Sequence, residues 1–161
     1  KNQALFNIEM AKHLPELDWG LIEAKKIKSY KSDSTDYQFT VTFKNTGKLP
    51  TALKQAQLVK IVREDMVRVA LNPVESGENA YKIIGEQAAG GRERGGFGGG
   101  PQVSGGTRTL SKSAGHTDGG KSTTVTWTIR AFGPTTLRGK ASVTTTRAGL
   151  LPEKEFVIKL Q

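Results

Sequence analysis

The stretch Thr35-Asp36-Tyr37-Gln38-Phe39-Thr40-Val41-Thr42-Phe43 decides the fold class. Its apolar residues, Tyr37, Phe39, Val41 and Phe43, fall on every second position. Asp36, Gln38, Thr40 and Thr42 fill the places between. Successive side chains of a strand point to opposite faces, so this alternation predicts a strand with one buried and one wet face, as in an antiparallel sheet. The same period returns in Thr124-Val125-Thr126-Trp127-Thr128-Ile129, which places Trp127 in the core.

Weaker runs flank these two. Leu21 to Ile27 reads as an imperfect strand, and Tyr81 to Ile84 as a short one. Leu58 to Val62 and Val67 to Leu71, split by Arg63-Glu64-Asp65, read as a hairpin or a bend in one sheet. Leu137 to Thr145 and Phe156 to Leu160 close the set, with a turn at Phe132-Gly133-Pro134. Seven or eight short strands with no interleaved helices predict an all-β, immunoglobulin-like antiparallel sandwich over residues 18–161. Asn2 to Leu14 has the apolar content of a helix and is stopped by Pro15. Residues 1–17 therefore read as a helix that either caps this domain or ends a preceding one. Trp19, just beyond, is expected to pack between helix and sheet, with exposed sugar stacking as the other reading. Between Ala89 and Gly106, nine of 18 residues are glycine, which predicts a flexible surface insertion.

Length and composition bound the rest. The 161 residues suit one domain, and the 35% hydrophobic share suits a thin core. The chain opens at Lys1 without an initiator methionine, as expected of an excised piece. No apolar run approaches the ~20 residues of a membrane span. With no cysteine there is no disulfide, thiolate metal site or cysteine nucleophile.

The net charge of +9 is concentrated late: residues 107–161 hold nine basic and three acidic side chains. These charges are dispersed, as on a solvated strand face. The alternative is an anionic polymer or glycan bound through Arg130, Arg138, Lys140 and Arg147.

Motifs for catalysis are weak. His13-Leu14-Pro15-Glu16 has the His-x-x-Glu spacing of zinc sites, with His116 far along the chain. Pro15 forbids the regular helix that would aim both ligands together, and there is no third histidine. His116 reads instead as a loop histidine beside Asp118. Glu64 and Asp65 are adjacent, which in a strand sends them to opposite faces. Arg92-Glu93-Arg94-Gly95-Gly96-Phe97 resembles an arginine-glycine-glycine segment, but one unit falls short of the repeated arrays that bind nucleic acid.

Several pieces in order resemble a known family. They are the helix ending in His13-Leu14-Pro15-Glu16-Leu17, the strand Phe39 to Phe43, and Asn45-Thr46-Gly47-Lys48-Leu49-Pro50-Thr51. Ala114-Gly115-His116-Thr117-Asp118-Gly119-Gly120, Val125-Thr126-Trp127 and Arg147-Ala148-Gly149 follow. This order is similar to the region after the catalytic domain of bacterial zinc metallocarboxypeptidases of the carboxypeptidase A type. There a final helix leads into an immunoglobulin-like domain bearing Asn-Thr-Gly-x-Leu-Pro-Thr, which Asn45 to Thr51 matches fully. Asp118-Gly119-Gly120-Lys121 departs from the family's acid-glycine-arginine pattern. The resemblance implies a non-catalytic accessory domain of a secreted, periplasmic or cell-surface enzyme. Its zinc ligands and catalytic glutamate would lie upstream, and this chain would hold no catalytic residue, metal or cofactor. The implied partner is the upstream catalytic domain, and the alternative is a free-standing binding module. In the Asn-Thr-Gly turn, Asn45 is expected to tolerate a left-handed backbone and Gly47 to supply positive φ.

Overall fold

The computed structural model describes residues 2–30, 34–74, 80–84 and 108–161. The alternating stretches become the two central strands of one sheet, β2 (Ser34–Asn45) and β6 (Ser122–Phe132). They pair antiparallel in unbroken register, with Phe39 opposite Trp127 and Val41 opposite Val125. β1 (Leu17–Ser29) lies outside β2, and β4 (Tyr81–Ile84) outside β6, giving the order β1-β2-β6-β4.

The facing sheet has the order β5-β3-β7-β8. Its strands are β3 (Asp65–Pro73), β5 (Arg108–Gly115), β7 (Thr135–Thr144) and β8 (Leu150–Leu160). Strands β1, β2, β6 and β4 occupy the A, B, E and D places of an immunoglobulin sandwich, and β3, β7 and β8 the C, F and G places. The fold class is thus as the sequence predicts, and β5 extends the second sheet beyond β3.

Tyr37, Phe39, Val41 and Phe43 meet Val67, Val69, Leu71, Leu137, Ala141 and Val143 across the sandwich, all but closed to solvent. Phe39 sits between Trp127 and Phe156 at ring-centroid distances of 5.7 and 5.6 Å. Gly139 makes room for this stack, since a Cβ there would lie 2.3 Å from the Phe156 ring. Trp19 packs against the core, and its indole N–H donates to the Pro152 carbonyl (2.8 Å). Trp19 therefore joins β1 to β8 along a seam between the sheets and does not sit between helix and sheet.

Local expectations are corrected at three places. The run from Leu58 to Val62 is not a strand. A one-turn helix, α2 (Lys54–Leu58), leads into an exposed turn there. Strand β5, RTLSKSAG, goes unpredicted because only Leu110 along it is buried, so it carries no period of two. The first helix, α1 (Asn2–Ala11), ends earlier than expected, with Leu14 and Pro15 outside it. The glycine-rich insertion, Ala89 to Gly106, lies outside the described residues.

Candidate interaction surface at one end of the sandwich

Residues 12–16, 46–64, 116–121 and 145–149 connect the strands at one end of the sandwich. Asn45 holds three of these segments together. Its Oδ1 accepts from the backbone N–H groups of Glu16 (3.2 Å) and Gly47 (3.1 Å). Its Nδ2 donates to the carbonyls of Leu49 (2.8 Å) and Thr117 (3.3 Å). Backbone bonds reinforce the joint, from Thr46 N–H to Glu16 O (2.7 Å) and from Leu49 N–H to His13 O (2.9 Å).

Glycine permits this crowding. A Cβ at Gly47 would lie 2.1 Å from the Leu14 carbonyl oxygen, and one at Gly119 would lie 2.0 Å from that of Lys48. Neither Asn45 nor Gly47 has positive φ. The Asn-Thr-Gly motif thus works through close backbone approach and a four-bonded amide, which corrects the expected left-handed turn.

Beneath the joint lies a closed polar plug. The fully buried Asp65 carboxylate accepts at Oδ2 from the hydroxyls of Thr51 (2.7 Å) and Thr117 (3.2 Å) and from the Thr117 N–H (3.1 Å). Among the described residues its Oδ1 has no partner, and neither does the buried Nδ1 of His116. Burial pushes the Asp65 pKa up, opposed by these hydrogen bonds and the nearby His116. Glu64 points outward and accepts from Ser113, so the two adjacent carboxylates do face opposite ways. Sealed from solvent, Asp65 is placed to hold the fold and not to meet a substrate.

His13 and His116 share this end. His13 lies 3.8 Å from the Glu9 carboxylate, and Glu16 is exposed and contributes its backbone. Among the described residues no group of three or more histidines and acids is gathered at metal-binding spacing.

Arg130, Arg138, Lys140 and Arg147 do not converge. Arg130 lies on β6, where it holds Asp36 through a two-pronged ion pair (2.7 and 2.9 Å) and stacks over Tyr30. That guanidinium holds the Asp36 carboxyl below the usual range, helped by the Tyr30 hydroxyl. Arg138 and Lys140 are on β7 in the opposite sheet, with Lys140 paired to Glu155 (2.8 Å). Arg147 is in the β7–β8 turn.

What this end does display is apolar surface. Every residue of α1 from Gln3 onward is exposed, Leu5, Phe6 and Ile8 by 65, 64 and 57%. Beyond the joint, Leu58, Val59 and Ile61 are exposed by 74, 65 and 76%. The helix content was readable in the sequence. The exposed turn was not, because its aliphatic run has the look of a strand.

An antiparallel sandwich with one laced, apolar-tipped end is the class that fold and surface define. The chain belongs to the family described as Domain of unknown function (DUF8731), which matches residues 21–152. No match to a curated protein was found. Similar solved structures include the following two. One is the X-ray structure of a Northeast Structural Genomics Consortium target, SoR45, at 8% identity and TM-score 0.38, covering 93% of this chain and 84% of that one. The other is the crystal structure of a protein from Archaeoglobus fulgidus, at 12% identity and TM-score 0.33, covering 89% of this chain and 100% of that one.

Proposed function

We propose that the chain is a non-catalytic accessory domain of a larger secreted zinc carboxypeptidase, seated against the catalytic domain through α1. The exposure of the α1 side chains carries this reading. Leu5 and Ile8 lie on one side of the helix and Phe6 and Met10 on another, so apolar surface runs around much of its girth. Helices of that kind are ordinarily enclosed. A helix of ten residues is marginal in water without tertiary contacts, so α1 needs a partner beyond the sandwich. Covering four such side chains is worth about 1.5–3 kcal/mol each before ordering costs.

The joint at Asn45 sets the direction in which α1 leaves the sandwich. A domain at the far end of α1 is thereby oriented as well as tethered. The family match begins at residue 21, beyond the helix, in keeping with α1 belonging to a junction. In this reading the zinc ligands and catalytic glutamate belong to the upstream domain, and the enzyme works outside the cytoplasm.

The test is to read the gene upstream of Lys1 and assay its product. A continuous frame encoding His-x-x-Glu, a distant histidine and a later glutamate is expected, with zinc and carboxypeptidase activity in the long product alone. A start codon or signal sequence directly before Lys1 would overturn the reading.

A further inference from the structure

The turn beyond α2 presents a second surface, independent of the accessory-domain reading. Leu53, Leu58, Val59 and Ile61 all stand in solvent, and with Gln55 and Ala56 they line a shallow open depression. Lys54, Lys60 and Arg63 are interspersed among them, and no acid occurs between Thr51 and Arg63. The β7–β8 turn adjoins this segment, where the Thr146 hydroxyl donates to the Arg63 carbonyl (3.1 Å).

Lys60 holds an unusual place. Ile61 N–H bonds Ala56 O (3.2 Å) and Lys60 N–H bonds Gln57 O (3.1 Å), the paired bonds that end a helix in a Schellman motif. The position between them is left-handed, with φ of 54° at Lys60, and glycine is its usual occupant. Here a lysine accepts that backbone cost and is set at the apex, between Val59 and Ile61.

We propose that this Leu53–Arg63 turn docks on the surface of an anionic lipid bilayer. The aliphatic side chains enter the boundary between headgroups and acyl chains, and the three cations meet lipid phosphate. A protein partner fits the composition less well, since lysine is depleted from the centres of protein interfaces. At a bilayer, lysine keeps its stem among the apolar groups and its ammonium in the headgroup layer. The contact is peripheral: among the described residues no helix is long and apolar enough to cross a membrane.

Co-sedimentation tests this with vesicles of phosphatidylcholine alone and of phosphatidylcholine and phosphatidylglycerol in equal parts. The chain should bind the anionic vesicles, less so as salt is raised. Lys54→Gln with Lys60→Gln should weaken binding about thirtyfold, at ~1 kcal/mol per cation. Leu58→Ser with Ile61→Ser should weaken it by a similar factor, while Phe6→Ser with Ile8→Ser on α1 should leave it unchanged. All six side chains are solvent-facing, so each variant should keep the parent's thermal midpoint. Equal binding to both vesicles, or loss only in the α1 variant, would overturn the proposal. So would a chain that ignores vesicles but self-associates through the turn, making a second copy the occupant.

Discussion

Asn45 is the residue on which the laced end depends. Its amide is fully buried and satisfies four backbone groups from three segments. Asn45→Ala removes the side-chain partner of the Glu16 and Gly47 N–H groups and of the Leu49 carbonyl, while the Thr117 carbonyl keeps the Thr51 N–H (2.9 Å), and Asn45→Asp replaces both donors with an acceptor. Buried groups left unpaired cost about 1–3 kcal/mol each, so either change should lower the unfolding free energy by about 3 kcal/mol or more in urea titration. The motif is visible in the sequence as a turn signal. Its mechanism is not, because the clashes that demand Gly47 come from Leu14 and Pro15, thirty-odd residues earlier.

Asp65 gives a pH signature at the same scale. Its native pKa is raised, chiefly by burial, so protonation favours the folded state. Its contribution is fullest below the ordinary aspartate range and is lost as pH rises through the raised native value. Asp65→Asn cannot titrate. The stability of the parent chain relative to that variant should therefore decline as pH rises from about 3 through the raised native value. Taking the difference between the two proteins cancels Asp36, whose lowered pKa acts in the opposite sense. A difference that stays flat across that range would contradict the placement of Asp65.

At the scale of elements, the strands that were legible are those with one face fully buried. β2 and β6 show every second residue, since each contributes four core side chains along an unbroken register. β5 buries one residue beside β3, so pairing, not periodicity, makes it a strand. Leu58 to Val62 has strand-like residues but pairs with no strand among the described residues, and local helix forms from Lys54. β7 carries a further constraint in Gly139, which faces Phe156 across the pair. Gly139→Ala should drive a methyl into the Phe39–Phe156 stack and cost about 1–3 kcal/mol by denaturant unfolding. A neutral result would mean that the Phe156 ring can swing clear.

For the whole molecule, closeness in sequence did not become closeness in space. The basic last third runs through β6 in one sheet and β7 and β8 in the other, so its cations are spread over both outer faces. The end with Asn45 draws instead on all parts of the chain, and there the helix and the Leu53–Arg63 turn reach solvent. Sandwich and core were legible in the sequence. The interaction surface was legible only in part, because exposure of an apolar residue depends on what the fold leaves uncovered.

Hydrogen exchange across residues 3–11 tests most directly the proposal that α1 is covered by a neighbouring domain. In the isolated chain these amides should exchange close to the unprotected rate, while those of β2 and β6 are protected to the limit of global unfolding. With the proposed upstream domain attached, the helix amides should become protected. Protection already present in the isolated chain, or absent from both proteins, would contradict the account.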